Sequence, residues 1–290
     1  MSKKIFKSPV EKEKWDIVIK PSSNAAGINF KELFNYTDLV FLFVSRDFVA
    51  QYKQTILGPF WYLIQPLLTT IVFTVIFGNV AKISTDGLPR PLFYLAGLTV
   101  WNFFSQTLTA VSQTFIKNAH LFGKVYFPRM TVPLSTLFSK YIALGFQFVL
   151  FLAFYAYYAF KFPEIRPNIY LLLIPVIIIQ ASILAVAFGM IVSAVTVKYR
   201  DLQQLVAFGV HLWMYATPIV YPMSKIPEKW KWLFMLNPMA HSVELFKYAF
   251  TGVGEVNLPH FGVGFLITLL FAVWGIISYN KADKTFVDQV

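Results

Sequence analysis

Six long stretches of this chain carry almost no charge, and together they take up most of its length. Uncharged runs occupy residues 54–81, 91–116, 167–197, 202–224 and 256–280, and a sixth, 130–160, is interrupted only by Lys140. A bilayer core needs about 20 apolar residues per helix, and each run is long enough. Backbone polar groups in lipid must be satisfied within the segment, so the runs predict helices. The expectation is an all-α membrane protein with six spans, near 58–81, 91–116, 131–160, 168–197, 202–222 and 257–279.

The segments between the runs differ in kind. Residues 1–35 are polar and predict a cytoplasmic arm, with no apolar core of a cleavable signal peptide. Residues 36–53, YTDLVFLFVSRDFVAQYK, hold an apolar run too short to span, bracketed by Asp38, Arg46, Asp47 and Lys53. That pattern predicts an amphipathic helix in the interface plane, with a helix packed on protein as the alternative. Gly58-Pro59 opens the first span, and Pro66 predicts a kink within it. The loop 117–129 predicts one short helix ended by Gly123, and Lys140 is placed to snorkel toward the inner surface.

In the fourth span Ala181, Ala185, Gly189 and Ser193 recur every four residues. Such a stripe lets another helix approach closely, within the subunit or across a dimer seam. The turn Lys198-Tyr199-Arg200-Asp201 predicts a tight hairpin to the fifth span, which ends at Pro218 and Pro222. The segment 223–255 has an apolar block, Trp232–Leu236, a break at Asn237-Pro238 and an amphipathic block to Phe250. Two short re-entrant helices in the outer leaflet fit it best. Residues 281–290 are expected to be a cytoplasmic tail.

Composition agrees with this picture. Of 290 residues 57% are hydrophobic and 13% charged, so the net charge of +11 is no nucleic-acid signature. With the N-terminus inside, seventeen Lys and Arg fall on the inner segments and eight on the outer ones, so both termini are expected in the cytoplasm. The absence of Cys excludes disulfides, thiolate metal sites and Cys nucleophiles.

Chemistry is sparse. The expected spans contain no Asp or Glu, which argues against ion coupling and against a membrane transferase acting on polyprenyl-linked sugars. The four His residues, 120, 211, 241 and 260, lack metal-ligand spacing, so no metal is expected, and no phosphate-binding loop is present. His211 is expected to be a hydrogen-bonded core residue rather than a gate. A chain that moves something without an energy source of its own needs a partner. Aromatics make up 18% of residues, and the interfacial belt accounts for most of them. The other reading is a sugar path, with Phe60, Trp61 and Tyr62 opening the first span and Trp213, Tyr215 and Tyr221 on the fifth. Glu244 and Lys247 can pair on a helix; a solvated pair is expected, and an outer latch, with His241 beside it, is the alternative.

Four blocks carry a resemblance. They are RDFVAQYKQTILGPFWYLIQPLLTTIVFTVIFGNVAKI (46–83), KNAHLFGKVYFPRMTVPLS (117–135), VKYRDL (197–202) with WMYATPIVYP (213–222), and LNPMAHSVELFKYAF (236–250). In order and spacing they resemble the permease subunit of ABC exporters for bacterial surface polysaccharide, the ABC type-2 family. The upstream WDIVIKP (15–21) resembles the lipopolysaccharide O-antigen branch more than the teichoic acid branch. The resemblance implies a homodimer in the bacterial inner membrane with two separate ATP-binding subunits, which hold ATP and Mg. It implies no catalytic residue in this chain, and a polyprenyl-pyrophosphate-linked polysaccharide as cargo; capsular polysaccharide or teichoic acid is the alternative. Trp61, Tyr62, Trp213 and Tyr215 become pore liners. Arg46, Asp47 and the loop residues Asn118, His120, Leu121 and Phe122 become contacts to the ATPase. Lys53 and Lys124 become entry residues for the lipid pyrophosphate.

Overall fold

Helix dominates the computed structural model, which describes residues 30–199 and 201–286. The stretch 15–21, most of the expected arm and the last four residues of the tail lie outside the described residues. Among the described residues there is no strand. Four helical stretches are long and apolar enough to cross a membrane: Gly58–Val80, Thr131–Lys161, Ile169–Thr196 and Leu258–Lys284.

The elements follow in chain order. A short α1 (Phe30–Asn35) leads into α2 (Thr37–Tyr52). A 3-10 turn at Gly58–Phe60 opens α3 (Trp61–Phe73), which passes into a π-helical stretch, Thr74–Val80. Then come α4 (Arg90–Ser112), α5 (Thr114–Phe122), α6 (Thr131–Lys161) and α7 (Ile174–Thr196). The last four are α8 (Leu202–Tyr215), α9 (Glu228–Met235), α10 (Pro238–Thr251) and α11 (Leu258–Phe286).

The second expected span differs from the rest because α4 is the axis of the fold. It packs on α7, α6, α10 and α3, and an unbroken run from Leu92 to Trp101 is buried. A helix covered by protein on all sides needs no lipid-facing apolar surface, so polar residues such as Thr99 and Thr107 are accommodated. Each of these hydroxyls donates to the carbonyl one turn back, at 2.7 Å. The helix also stops earlier than expected, at Ser112 rather than near Ile116. Ser112 and Thr114 donate to the carbonyls of Thr109 and Val111, which diverts those acceptors from the helical ladder and turns the chain into α5.

The small-residue stripe of α7 packs within the subunit. Ala181, Ala185 and Ser193 are fully buried, and a Cβ on Gly189 would stand 2.6 Å from the Val111 Cβ of α4. Behind it, a Cβ on Gly275 of α11 would stand 2.7 Å from the Ala187 carbonyl oxygen. Glycine on two faces thus sets the spacing of α4, α7 and α11, the most extensively packed set in the structure.

The fifth expected span is shorter than its uncharged run. At 14 residues α8 rises about 21 Å, less than the hydrocarbon thickness. Pro218 disfavours helical backbone at Thr217 and supplies no N–H, so α8 ends at Tyr215. The freed carbonyls are met by α10. The Asn237 amide donates to Ala216 O at 2.9 Å and to Thr217 Oγ1 at 3.1 Å. Its oxygen accepts from Met239 N, capping α10, and from Trp213 Nε1 at 3.0 Å. Lys247 Nζ donates to Pro218 O at 2.5 Å.

Lys247 is therefore no solvated residue, as the sequence suggested. Every residue of α10 except Tyr248 is buried, so the block is enclosed rather than amphipathic. Lys247 is 1% exposed and Glu244 5%. The ammonium lies 3.7 Å above the Phe93 ring of α4 and 3.7 Å from Glu244 Oε2. Burial raises the pKa of Glu244 and lowers that of Lys247, and each charge pulls the other back toward its ionised form.

Two outcomes follow for the purified chain in detergent. Gly189→Val drives a side chain into α4 and should cost about 3 kcal/mol in unfolding experiments, whereas Gly145→Ala, with open space around its Cβ, should be neutral or mildly stabilising. Lys247→Met leaves a buried carboxylate and the Pro218 carbonyl unpaired and should cost about 3 kcal/mol or more. Combining it with Glu244→Gln should recover part of that loss; a fully additive double variant would rule out the coupling.

Candidate functional site

One end of the bundle carries a polar groove between α2, α5 and α6, with a volume of about 680 Å³. Its geometry starts from α5, which ends at Gly123 as expected. Asn118 is buried on its inner side and donates to the Thr114 carbonyl at 3.0 Å. That fixes its oxygen toward α2, where it accepts from Arg46 Nη2 at 3.5 Å. Arg46 lies over the Phe43 ring at 4.6 Å and forms an exposed ion pair with Asp47 at 2.7 Å. Arg46, Asp47, Asn118 and His120, far apart in sequence, thus line one groove.

Leu121 and Phe122 turn the other way. Phe122 is buried against Phe115 and Phe127, with Leu121 packed on the same cluster, and they anchor α5 to the bundle. Lys53 and Lys124 are exposed and do not line the groove. Lys117, the first residue of the loop 117–129 expected to contact the ATPase, also lines it, and so does Lys140, which the sequence marked only as a snorkelling residue. The lone cation in an otherwise uncharged run, Lys140, was the available signal.

The aromatic candidates divide by helix face. Phe60 is 66% exposed and Trp61 is also exposed, but Tyr62 is 7% exposed and turned inward. Its ring packs on Tyr52 and Phe146, with centroids 5.1 and 5.6 Å away. Trp213 is likewise directed into the fold, against Phe104 and Phe188. Tyr215 is exposed, and half-buried Tyr221 donates to the Tyr215 carbonyl at 2.6 Å. The open aromatics are Phe60, Trp61 and Tyr215. Successive helical residues point about 100° apart, so Tyr62 turns inward although Trp61 before it is open. His211 is exposed on α8, not a core residue.

Both α3 and α8 present apolar stripes that nothing among the described residues covers. On α8 these are Leu205, Phe208, Leu212 and Tyr215, and on α3 Leu68, Ile71 and Val72, with Val75 and Ile76 beyond. Even α2, which buries only Val40 and Phe43, leaves Phe41, Leu42 and Val49 exposed.

The opposite end holds the remaining candidates. His241, 7% exposed, has its ring 5.5 Å from that of His260. Burial, reinforced by the His260 charge, pushes its pKa down to about 4, so the ring is neutral at neutral pH. His241 and Glu244 border a cavity beside α9, whereas the Lys247 ammonium is directed the other way, to Pro218 and Phe93. His241, Glu244 and Lys247 do come together on α10, as a cross-brace beside a polar chamber.

Known proteins are similar to this chain in sequence along most of its length. The family model for the ABC-2 type transporter covers residues 38–251. The O-antigen export system permease protein RfbA of Klebsiella pneumoniae is 28% identical over 87% of this chain and 94% of its own. The protein of the same name from Myxococcus xanthus is 29% identical over 72% of this chain and 78% of its own. The polysialic acid transport protein KpsM of Escherichia coli is 23% identical over 83% of this chain and 92% of its own. The family match spans the groove, α4, both exposed stripes and the braced α10, and the chain belongs to the ABC-2 type transporter family.

Proposed function

We propose that this chain is the membrane permease of an ATP-driven exporter of O-antigen-type polysaccharide. The observation that carries the reading is its similarity to named O-antigen export permeases over nearly their whole length. In this reading the chain lies in the bacterial inner membrane with both termini cytoplasmic, and it crosses six times. The four long apolar helices cross outright; α4 crosses inside a protein sheath, and α8 crosses together with the extended segment after it. Irregular backbone at that depth requires protein partners, and Asn237 and Lys247 supply them.

Two copies pair through the uncovered stripes of α3 and α8, and the cargo passes between them. Exposed Phe60, Trp61 and Tyr215 offer ring faces to passing sugars, which stack without being gripped by charge. The cargo is carried on a polyprenyl pyrophosphate, whose anionic headgroup meets exposed Lys53 and Lys124 at the inner rim. Two copies of an ATP-binding subunit hold ATP and Mg and dock on α5 and α2. The Arg46–Asn118 contact then makes the two helices move together, so closure of the ATPase shifts α2 against α6. α2 lies in the interface, with its exposed Phe41, Leu42 and Val49 toward lipid. α9 and α10 form the outer, re-entrant cap.

Co-purification with the ATP-binding subunit of the same operon, followed by ATPase assay with lipid-linked glycan, tests the reading. A stable two-plus-two complex stimulated by the glycan is expected; a chain that purifies alone and is indifferent to any ATPase contradicts it. Within the complex, His120→Glu places a charge on the exposed face of α5 and should cut the stimulation roughly tenfold with the melting temperature unchanged. Phe60→Ala with Trp61→Ala should slow export and leave the complex intact. Full export by that double variant would remove those rings from the path.

A further inference from the structure

The groove between α2, α5 and α6 holds more positive charge than its own side chains neutralise. Its volume of about 680 Å³ lies in the range of ligand pockets. Arg46, Lys117 and Lys140 border it, against one carboxylate, Asp47. Asp47 is already paired with Arg46 at 2.7 Å. Among the described residues neither Lys117 nor Lys140 has an ion pair. Two ammoniums bordering one enclosure repel unless an anion stands between them. The wall also carries neutral donors: the side chains of Gln113 and Thr136 border the groove and make no hydrogen bond among the described residues.

The depth of Lys140 says which anion fits. The 31 residues of α6 rise about 46 Å, against about 30 Å of hydrocarbon. About 16 Å of the helix therefore stands outside the bilayer core. Exposed Tyr157 and Phe160 close its far end as an aromatic belt does, while Ser135, Thr136 and Ser139 make its start polar, so the surplus lies at the start. From Thr131 to Lys140 the rise is about 14 Å, which puts the ammonium at the edge of the hydrocarbon, at headgroup depth. A cation inside a spanning helix is costly without a partner. A soluble anion has no reason to seek this depth, whereas a lipid phosphate is held there by its own tails, and basic pockets between membrane helices bind such headgroups. The helices that wall the groove carry exposed apolar residues for those tails, Phe41 and Leu42 on α2 and Phe138 and Val149 on α6.

We propose that the groove is a binding site for a lipid phosphate, whose oxygens bridge Lys117 of α5 and Lys140 of α6 and accept from Gln113 and Thr136. A bilayer phospholipid and the polyprenyl carrier of the cargo share that chemistry, and only the second source rests on the exporter reading. The bound phosphate ties α5 to the long span α6, beside the Arg46–Asn118 contact that ties α5 to α2.

Native mass spectrometry of the full-length chain in detergent tests this with dioleoyl phosphatidic acid, dioleoylglycerol, undecaprenyl phosphate and inorganic phosphate. Phosphatidic acid should be retained; dioleoylglycerol, with the same tails and no phosphate, should not. Affinity for phosphatidic acid should fall roughly tenfold in Lys140→Gln and further when Lys117→Gln is added. Lys140→Arg should keep it, and so should Lys229→Gln, exposed at the opposite end. The melting temperature of lipid-free Lys140→Gln should not fall, since no partner is lost. Displacement of phosphatidic acid by a lower concentration of undecaprenyl phosphate makes the carrier the occupant; displacement only by excess makes it a bilayer phospholipid. Inorganic phosphate bound as tightly as phosphatidic acid, equal retention of dioleoylglycerol, or unaltered affinity in the double variant would overturn the proposal. So would loss of the lipid on adding the ATP-binding subunit, which would make the two lysines a protein contact. A chain that exports glycan with its ATPase yet retains neither lipid sinks the site alone; a chain that binds lipid phosphate but is indifferent to any ATPase sinks the exporter reading alone.

Discussion

The ammonium of Lys247 at the Pro218 carbonyl holds together the part of this structure that helices alone cannot. A membrane segment must satisfy its own backbone, and α8 stops doing so at Tyr215. Three elements meet at the break. Asn237 uses its amide on the α8 end and its oxygen on the α10 start, and Lys247 closes the remaining carbonyl while resting on Phe93 of α4. A buried charge is weak evidence for net stability but strong evidence for a fixed geometry, because few alternative packings would satisfy it. Here the fixed geometry keeps the extended segment beside the axial helix.

That axis also links the two ends. The first half of α4 takes the contact from Lys247, and its last turn leads directly into α5 and the Arg46–Asn118 contact. Between them Gly189 brings α7 against α4, and Gly275 brings α11 against α7. Close backbone packing of this kind transmits displacement rather than absorbing it. A push on α5 therefore has a rigid route to the end where α10 lies, while α8, which buries little but Val210, is held by far fewer contacts.

Much of the fold was legible in the uncharged runs, because lipid imposes length and helix together. Four of the six runs yield helices both long and apolar enough to span, and the short helix ended by Gly123 and the break at Asn237-Pro238 were readable from local chemistry. What the sequence obscured was burial. Lys247 sits among Val243, Leu245, Phe246 and Phe250, apolar on every side of the helix, and that pattern marks enclosure rather than a solvated pair. The end of α8 was signalled by Thr217-Pro218 but hidden by the apolar residues that follow. Of the candidate site, the groove residues Arg46, Asp47, Asn118 and His120 converge, and Tyr62 turns inward to line the same groove, while Trp213 turns into the core, since facing depends on helix rotation that composition does not reveal.

An exporter coupled at the groove has the groove and the α9–α10 end on opposite sides of the membrane. The chain has no cysteine, so a single one can be introduced without background. Lys124→Cys and Lys229→Cys are to be labelled with a membrane-impermeant maleimide in intact cells and again in inside-out vesicles. Labelling of position 229 only from outside and of position 124 only from inside is the predicted result. Labelling of both positions from one side would contradict it.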